Sequence, residues 1–233
     1  MFAWFDKLVE GMTWLINFFY GLTQNIGIPS YGLAIILFTI VVKTILYPLT
    51  LKQMRSLKMT QLLQPKVKEI QDKYSKEPQK AQQLIMELYK ENGANPLAGC
   101  LPILLQMPIF IALFNALKEF KFVDLASAKF LWIHTLSLKD PYYILPIVAA
   151  AATYTQQKLS TTNPNDPTQK SMLYVMPLMF GWFASTVPAG LGLYWVVFSV
   201  VGTVQQYFIN KQPVALKEDG KKDESVRKKR KDN

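Results

Sequence analysis

Apolar residues are concentrated in five runs that polar or charged segments separate. A helix needs about 20 residues, at about 1.5 Å each, to cross the roughly 30 Å hydrocarbon core of a bilayer. All five runs approach that length, although the third and fourth are at the short end. Buried helices of a soluble protein are the alternative, but five such runs would leave little polar surface to cover them. The runs are Tyr31 to Leu51, Leu97 to Leu117, Pro141 to Gln157, Met172 to Val187, and Ala189 to Ile209.

Apolar and polar residues alternate with the period of a helix in the segment before the first run. This pattern predicts an amphipathic helix that lies in the membrane interface on the external side. A signal peptide is the alternative, but the start lacks a basic region and no A-x-A-type cleavage site precedes Pro29. One face carries Phe5, Leu8, Val9, Met12, Leu15, Ile16 and Phe19, and the other carries Asp6, Glu10, Thr13 and Asn17.

The segment between the first two runs is polar but carries two apolar stripes, one on each side of Pro78. This pattern predicts a cytoplasmic helical hairpin, which Asn92-Gly93 ends. A solvated charged linker is the alternative, but it does not explain the stripes. The first stripe is Leu62, Leu63, Val67, Ile70 and Tyr74, and the second is Leu84, Ile85, Leu88 and Tyr89.

These patterns together predict an all-α polytopic membrane protein with five transmembrane helices. Val187-Pro188-Ala189-Gly190 leaves room only for a tight turn between the last two spans. The predicted segments are an external amphipathic helix at 1–28, spans at 29–51, 97–118, 141–158, 172–187 and 188–210, a cytoplasmic hairpin at 52–96, an external loop at 119–140, a cytoplasmic loop at 159–171, and a disordered basic tail at 211–233.

Composition supports a membrane protein, and the distribution of charge predicts its topology. Half of the 233 residues are hydrophobic and 18% are charged, with a formal net charge of +10. Nine basic residues lie between the first two runs and nine more follow Ile209, so the positive-inside rule places both segments in the cytoplasm. An odd number of spans then places the amino terminus outside. The four lysines between Lys118 and Asp140 oppose this topology, but the two larger basic segments outweigh them.

The sequence contains few residues or motifs of the kind that metal binding or covalent catalysis requires. One cysteine and one histidine exclude a disulfide framework and a Cys/His zinc cluster. Nucleotide-binding and hydrolytic motifs such as G-x-x-x-x-G-K-[ST], H-E-x-x-H and G-x-S-x-G are absent from the sequence. The runs also lack carboxylates and histidines, which proton-coupled transporters usually carry in their spans. We therefore expect no cofactor, no metal and no enzymatic activity.

Lys43 is the one formal charge well inside a run. A charge near the bilayer centre costs about 2.5–3.5 kcal/mol on insertion scales, so it usually faces water or protein. Snorkelling towards the cytoplasmic interface is the alternative. Gln106 in the second run and Gln156 and Gln157 at the end of the third could line the same cavity as Lys43, although each alone could be an interhelical hydrogen-bond partner. Together these residues suggest a hydrophilic groove.

The chain from about Tyr31 to Ile209 resembles the YidC family of bacterial membrane-protein insertases, in the short form of Gram-positive members. The most specific similarity is Asn95-Pro96-Leu97-Ala98-Gly99-Cys100-Leu101-Pro102-Ile103-Leu104-Leu105-Gln106-Met107-Pro108-Ile109-Phe110. Further pieces are Tyr47-Pro48-Leu49-Thr50, Tyr154-Thr155-Gln156-Gln157, and Gly190-Leu191-Gly192-Leu193-Tyr194-Trp195 after Pro188.

The resemblance implies a five-helix fold around a groove that is open to the cytoplasm and closed outside. Lys43 stands where the family typically has an arginine, so the charge is kept but the bidentate fork is lost. The groove-facing glutamine and tryptophan of the family correspond to Gln156 and Trp195. Ser199 replaces an asparagine that is common in the fifth span.

The resemblance also implies the function, which is assistance to nascent membrane proteins as they enter the bacterial cytoplasmic membrane, alone or with the Sec translocon. The basic tail suggests contact with the ribosome or with anionic lipids. A small-molecule transporter and an assembly factor that does not itself insert proteins remain alternatives.

Overall fold

The computed structural model describes residues 3–95, 101–118, 120, 122, 126–161 and 167–211. In these ranges the chain is helical, with one isolated β-bridge between Phe130 and Ile133, which confirms the all-α class. The helices are α1 (Ala3–Asn25), α2 (Tyr31–Ile45), α3 (Tyr47–Leu62), α4 (Gln64–Lys73), α5 (Pro78–Glu91), α6 (Leu101–Lys118), α7 (Ile144–Ser160), α8 (Pro167–Thr186) and α9 (Ala189–Asn210).

The chain divides into two compact units. Unit 1 comprises residues 1–47 and 103–207, and unit 2 comprises residues 48–102 and 208–233. Several predicted features lie outside the described residues: the Pro96 to Cys100 part of the motif, the basic tail from residue 212 onward, and parts of both predicted loops.

The predicted apolar face of α1 is confirmed. Its members are buried or packed against the core of unit 1, and Tyr20 near the end of α1 stacks on Tyr31 of α2 with ring centroids 4.0 Å apart. The opposite side of the helix is less polar than predicted, because Trp14 and Phe18 are exposed there. Their rings stack with centroids 5.6 Å apart. The apolar face therefore meets protein, while exposed aromatic rings are left on the other side.

Proline affects the predicted spans differently. The first apolar run is divided between α2 and α3, with Leu46 as the cap of α2. Pro48 explains the break, since it cannot donate a backbone hydrogen bond and its ring clashes with the carbonyl four residues earlier. Pro108 and Pro177, by contrast, lie inside α6 and α8, which continue past them.

Contacts along α9 give the direction of two neighbouring helices. The beginnings of α2 and α7 lie beside the beginning of α9, and their later turns lie beside its second half. All three helices therefore run in the same direction. The pairs are Ile35 with Gly190 and Lys43 with Gly202 for α2, and Leu145 with Gly192 and Gln156 with Gly202 for α7.

Two further helices of unit 1, α6 and α8, run in the opposite direction. The end of α6 lies at the start of α9, and the start of α8 lies at the end of α7. The pairs are Leu117 with Gly190 and Phe110 with Trp195 for α6, and Tyr174 with Tyr154 and Gly181 with Ala150 for α8. Taken in chain order, α2, α6, α7, α8 and α9 thus alternate in direction.

The segment before α7 covers one end of these helices, which we call the loop end. Backbone N–H groups at the start of α9 and α2 donate to carbonyls of this segment. The bonds are Ala189 to Leu138 at 2.7 Å, Gly190 to Leu136 at 2.8 Å, and Tyr31 to Ser127 at 3.0 Å. The short connection between α8 and α9 is therefore held under the segment, and a Cβ atom at Gly190 would lie 3.2 Å from the Leu136 carbonyl.

Asp140 holds the segment together at the start of α7. Its carboxylate is buried, with the residue 5% exposed, and accepts three N–H bonds. The donors are the Trp132 indole at 3.1 Å and the backbone N–H groups of Tyr142 at 3.1 Å and Leu145 at 2.6 Å. A carboxylate at a helix N-terminus satisfies free N–H groups and favours the helix dipole.

Unit 2 has its own small core. Leu63, the cap of α4, and Val67 of α4 pack with Tyr89 of α5 and with Ala94. Part of each predicted apolar stripe of the hairpin is thus confirmed, while Leu62 is exposed. Burial raises the pKa of the Tyr89 phenol above its ordinary value. The predicted helix stop is confirmed as well, because Asn92 caps α5 and Gly93 has a φ of +64°.

Few helices in the part of the chain that the structure describes are both long enough and apolar enough to cross a membrane. α9 is long and apolar enough by itself, and α2 with α3 would count as a second if the pair forms one span. The five-span count stays a prediction.

Candidate functional site

Lys43 is the only charged residue of α2 and lies on the buried face of the helix. That face also carries Tyr31, Ile35 and Phe38, each with 0% exposure, and Lys43 itself is only 6% exposed. Removing an ammonium group from water costs several kcal/mol unless neighbouring groups compensate. The neighbours of Lys43 therefore decide what the site can do.

The ammonium group of Lys43 lies over an aromatic ring rather than beside a carboxylate. Its Nζ is 3.5 Å from the centroid of the Phe198 ring, in cation–π geometry. Among the residues that the structure describes, no carboxylate pairs with Lys43. The backbone is anchored separately, because Gln205 Nε2 donates to the Lys43 carbonyl over 3.1 Å.

Gly202 brings Lys43 and Gln156 to one place on α9. A Cβ atom at residue 202 would lie 3.2 Å from Lys43 Nζ and 3.1 Å from Gln156 Cδ, and it would collide with Gln156 Nε2. The two side chains can reach α9 together only because residue 202 has no side chain. The predicted meeting of the lysine with a glutamine of the third run is thus present in the structure.

Two polar atoms in the same region of α9 are buried and have no hydrogen-bond partner in the described ranges of the chain. They are the Ser199 hydroxyl oxygen and Gln205 Oε1. An unsatisfied buried polar group costs about 1–3 kcal/mol, and native proteins keep few of them. The region around Lys43, which we call the lysine end, therefore has hydrogen-bonding capacity that the described part of the chain does not use.

Trp195 is linked to Lys43 through the ring of Phe198. Its indole donates to Thr153 Oγ1 over 3.0 Å, and its ring stacks on Phe180 at 4.0 Å. The link to the lysine runs through Phe198, whose ring centroid is 6.0 Å from that of Trp195. Trp195 thus helps to hold the ring on which the ammonium lies.

The two remaining predicted residues do not join this cluster. Gln106 donates a hydrogen bond to the Tyr194 hydroxyl, which is buried in the core. Gln157 shows no side-chain contact with Lys43 in the described chain. Sequence reasoning also missed Phe198 and Gly202. Their spacing from Trp195 by three and seven residues places them on one helical face, which is the signal that could have found them.

Comparison with known proteins identifies the family. Residues 21–217 match the family model described as 60Kd inner membrane protein. Similar proteins named membrane protein insertase YidC occur in Helicobacter pylori, with 45% identity over 203 residues, in Wolinella succinogenes, with 49% over 189, and in Haemophilus influenzae, with 46% over 208. These matches cover 87%, 81% and 89% of this chain.

The same matches cover only 36%, 35% and 37% of the relatives. The chain therefore spans about a third of the length of these curated relatives. The short, Gram-positive-like form stays a prediction.

A solved structure agrees with the sequence comparison. It is a crystal structure of an active YidC insertase with the first transmembrane domain resolved, and it superposes with a TM-score of 0.70 at 30% identity. The match covers 89% of this chain and 47% of the other. The predicted resemblance and the helical fold are both confirmed.

Proposed function

The chain belongs to the 60Kd inner membrane protein family, and from that premise we propose that it is an insertase acting on nascent membrane proteins. The observation that carries the proposal is the lysine end. A buried ammonium, which no carboxylate among the described residues pairs with, meets an amide of α7 on the face of α9. Such an arrangement attracts an acidic group that arrives from elsewhere.

In the proposed mechanism the client supplies that group. A short hydrophilic segment of the client enters between α2, α7 and α9, and its acidic side chain approaches Lys43 while Gln156 replaces part of its hydration. The apolar segment of the client moves into lipid at the same time. Burial of roughly 20 apolar residues, each contributing a few tenths of a kcal/mol or more, drives insertion without a nucleotide.

The alternating helix directions in unit 1 support the proposed topology. Five alternating passes would place the segment after α2 and the segment after α9 on the same side of the membrane. Both segments are the strongly basic ones, so the positive-inside rule makes that side the cytoplasm. The amino terminus would then lie outside, and the loop end would face the exterior.

The finer partners rest on charge and on the family. The basic tail would contact the ribosome or anionic lipid headgroups by electrostatic attraction, which salt weakens. Cooperation with the Sec translocon is proposed as well, since it is one route by which clients would reach the groove.

Reconstitution tests the insertase function most directly. The purified chain is placed alone in liposomes and supplied with a single-span client whose translocated tail carries one acidic residue. We expect protease-protected client, and empty liposomes are the control. If insertion requires added Sec translocon, the chain is an assembly factor rather than an insertase. If the chain instead moves small solutes across the liposome membrane, the transporter alternative is supported.

A further inference from the structure

Phe198 and Gly202 lie one turn apart on the face of α9 that meets α2 and α7. The first offers a ring face to the Lys43 ammonium, and the second offers bare backbone to both Lys43 and Gln156. Sequence reasoning assigned neither residue a role. A phenylalanine within an apolar span gives no polar signal, and a glycine gains a role only from what packs against it.

We propose that Phe198 and Gly202 form a shelf that positions the Lys43 ammonium and the Gln156 amide as a paired donor site for one carboxylate of the client. This inference rests on the proposed insertase function and names the chemistry of its site. Phe198 and Gly202 are positioning residues, because they act through Lys43 and Gln156.

The ring of Phe198 explains how the cation is stabilised where the described part of the chain offers it no carboxylate. A cation–π contact is attractive, most of all where water is excluded, and it leaves the N–H groups that point away from the ring able to donate elsewhere. A resident carboxylate would occupy those donors and compete with the client. The aromatic partner therefore keeps the lysine in place and available.

The absence of a side chain at residue 202 sets the spacing of the two donors. Lys43 Nζ and the Gln156 amide carbon both lie within 3.2 Å of the point where a Cβ atom would stand. The two oxygens of a carboxylate accept separate N–H bonds of about 2.7–3.2 Å, so a single acidic side chain is suited to two neighbouring donors. A methyl group at residue 202 would push both donors away.

Gly202→Ala separates function from folding. The atoms it displaces are the flexible ends of two side chains, and alanine is the better helix former. The variant should therefore be as stable as the wild type but poorer on acidic clients. Gly192→Ala on the same helix is the matched control, because its Cβ would meet Leu145 at an ordinary 3.6 Å.

The experiment compares two clients that differ by one translocated residue, Asp or Asn. We expect Gly202→Ala and Phe198→Leu to raise the half-saturating concentration of the Asp client roughly three- to ten-fold, as the loss of a cation–π contact would. Maximal rates and the Asn client should be unchanged, Phe198→Tyr should rescue, and Gly192→Ala should behave as the wild type. Equal losses on both clients, or no loss, would overturn the shelf.

A second measurement does not depend on insertion. Acetylation of Lys43 by acetic anhydride in detergent, followed by mass spectrometry, reports how the ring covers the ammonium. We expect a several-fold faster reaction in Phe198→Leu than in the wild type or Phe198→Tyr. Identical rates in all three would refute the shelf even if the wild type inserts clients. Wild-type protein that inserts neither client would instead refute the proposed function.

Discussion

The loop end and the lysine end of unit 1 are built on the same two helices, α2 and α9, but they treat polar groups in opposite ways. At the loop end the buried carboxylate of Asp140 has three N–H donors, and the start of α9 is hydrogen-bonded to the covering segment. At the lysine end an ammonium lies over a ring, and polar atoms of Ser199 and Gln205 have no hydrogen-bond partner among the residues that the structure describes.

This difference separates stability from function within one unit. Fully partnered polar groups rigidify a structure, whereas unpartnered ones cost free energy that a ligand can recover. The loop end therefore fixes the helices, and the lysine end keeps unused capacity, which the client would take up in the proposed mechanism. Substitutions at the two ends should then fail in different measurements.

Charge reversal at the lysine end should have the largest effect. Lys43→Glu would place a carboxylate opposite the acidic client, and we expect insertion to fall at least about ten-fold, because like charges in apolar surroundings repel strongly. Lys43→Arg should remain active, since the charge is kept. Insertion of an acidic client in a depletion strain is the measurement. Full activity of Lys43→Glu would show that the two ends do not differ electrostatically.

Chemical access should distinguish the two ends next. In a Cys100→Ser background, single cysteines at positions 43 and 156 should react with a membrane-impermeant thiol reagent in inside-out vesicles and resist it in spheroplasts. A cysteine at exposed position 138 of the loop end should do the reverse. Labelling of position 43 from both sides would indicate a through-channel, which favours a transporter.

Core truncation at the loop end should lower stability rather than specificity. Leu136 is 0% exposed, so Leu136→Ala should cost about 2–5 kcal/mol of the free energy of unfolding. Leu138 is 65% exposed, and Leu138→Ala should cost less than about 0.5 kcal/mol. Denaturant unfolding in detergent micelles compares them. Similar losses in both variants would mean that the covering segment does not pack as a core.

Weakening one capping group should give the smallest effect. Asp140→Asn keeps the size of the side chain but loses its charge, and it replaces one acceptor oxygen by an NH2 group that faces an N–H donor. We expect a loss of about 1–3 kcal/mol in unfolding free energy with little change in the preference for acidic clients. A changed client preference would couple the two ends that the structure separates.

The sequence predicted those parts of the molecule that follow from local periodicity. The apolar face of α1, the two stripes of the hairpin and the stop at Asn92-Gly93 each depend on residues close in the chain. Lys43 was also predictable, because a charge is conspicuous in an apolar run.

The surroundings of Lys43 were not predictable in the same way. The role of Gly202 depends on two side chains from other helices, and Phe198 looks like any core residue until a cation lies over it. Gln106 is the converse case, since its polarity suggested the groove and in the structure its amide donates a hydrogen bond to the Tyr194 hydroxyl. Contacts distant in sequence decide these cases.

The two hydrogen bonds that join the start of α9 to the covering segment involve backbone atoms only. First-turn amides of a helix usually exchange quickly with solvent, because no earlier turn accepts their bonds. The amides of Ala189 and Gly190 should instead be slow to take up deuterium, and their exchange rate would report whether the covering segment at the loop end opens. If they exchange no faster while a client passes, the proposed insertion would leave the membrane's permeability barrier intact.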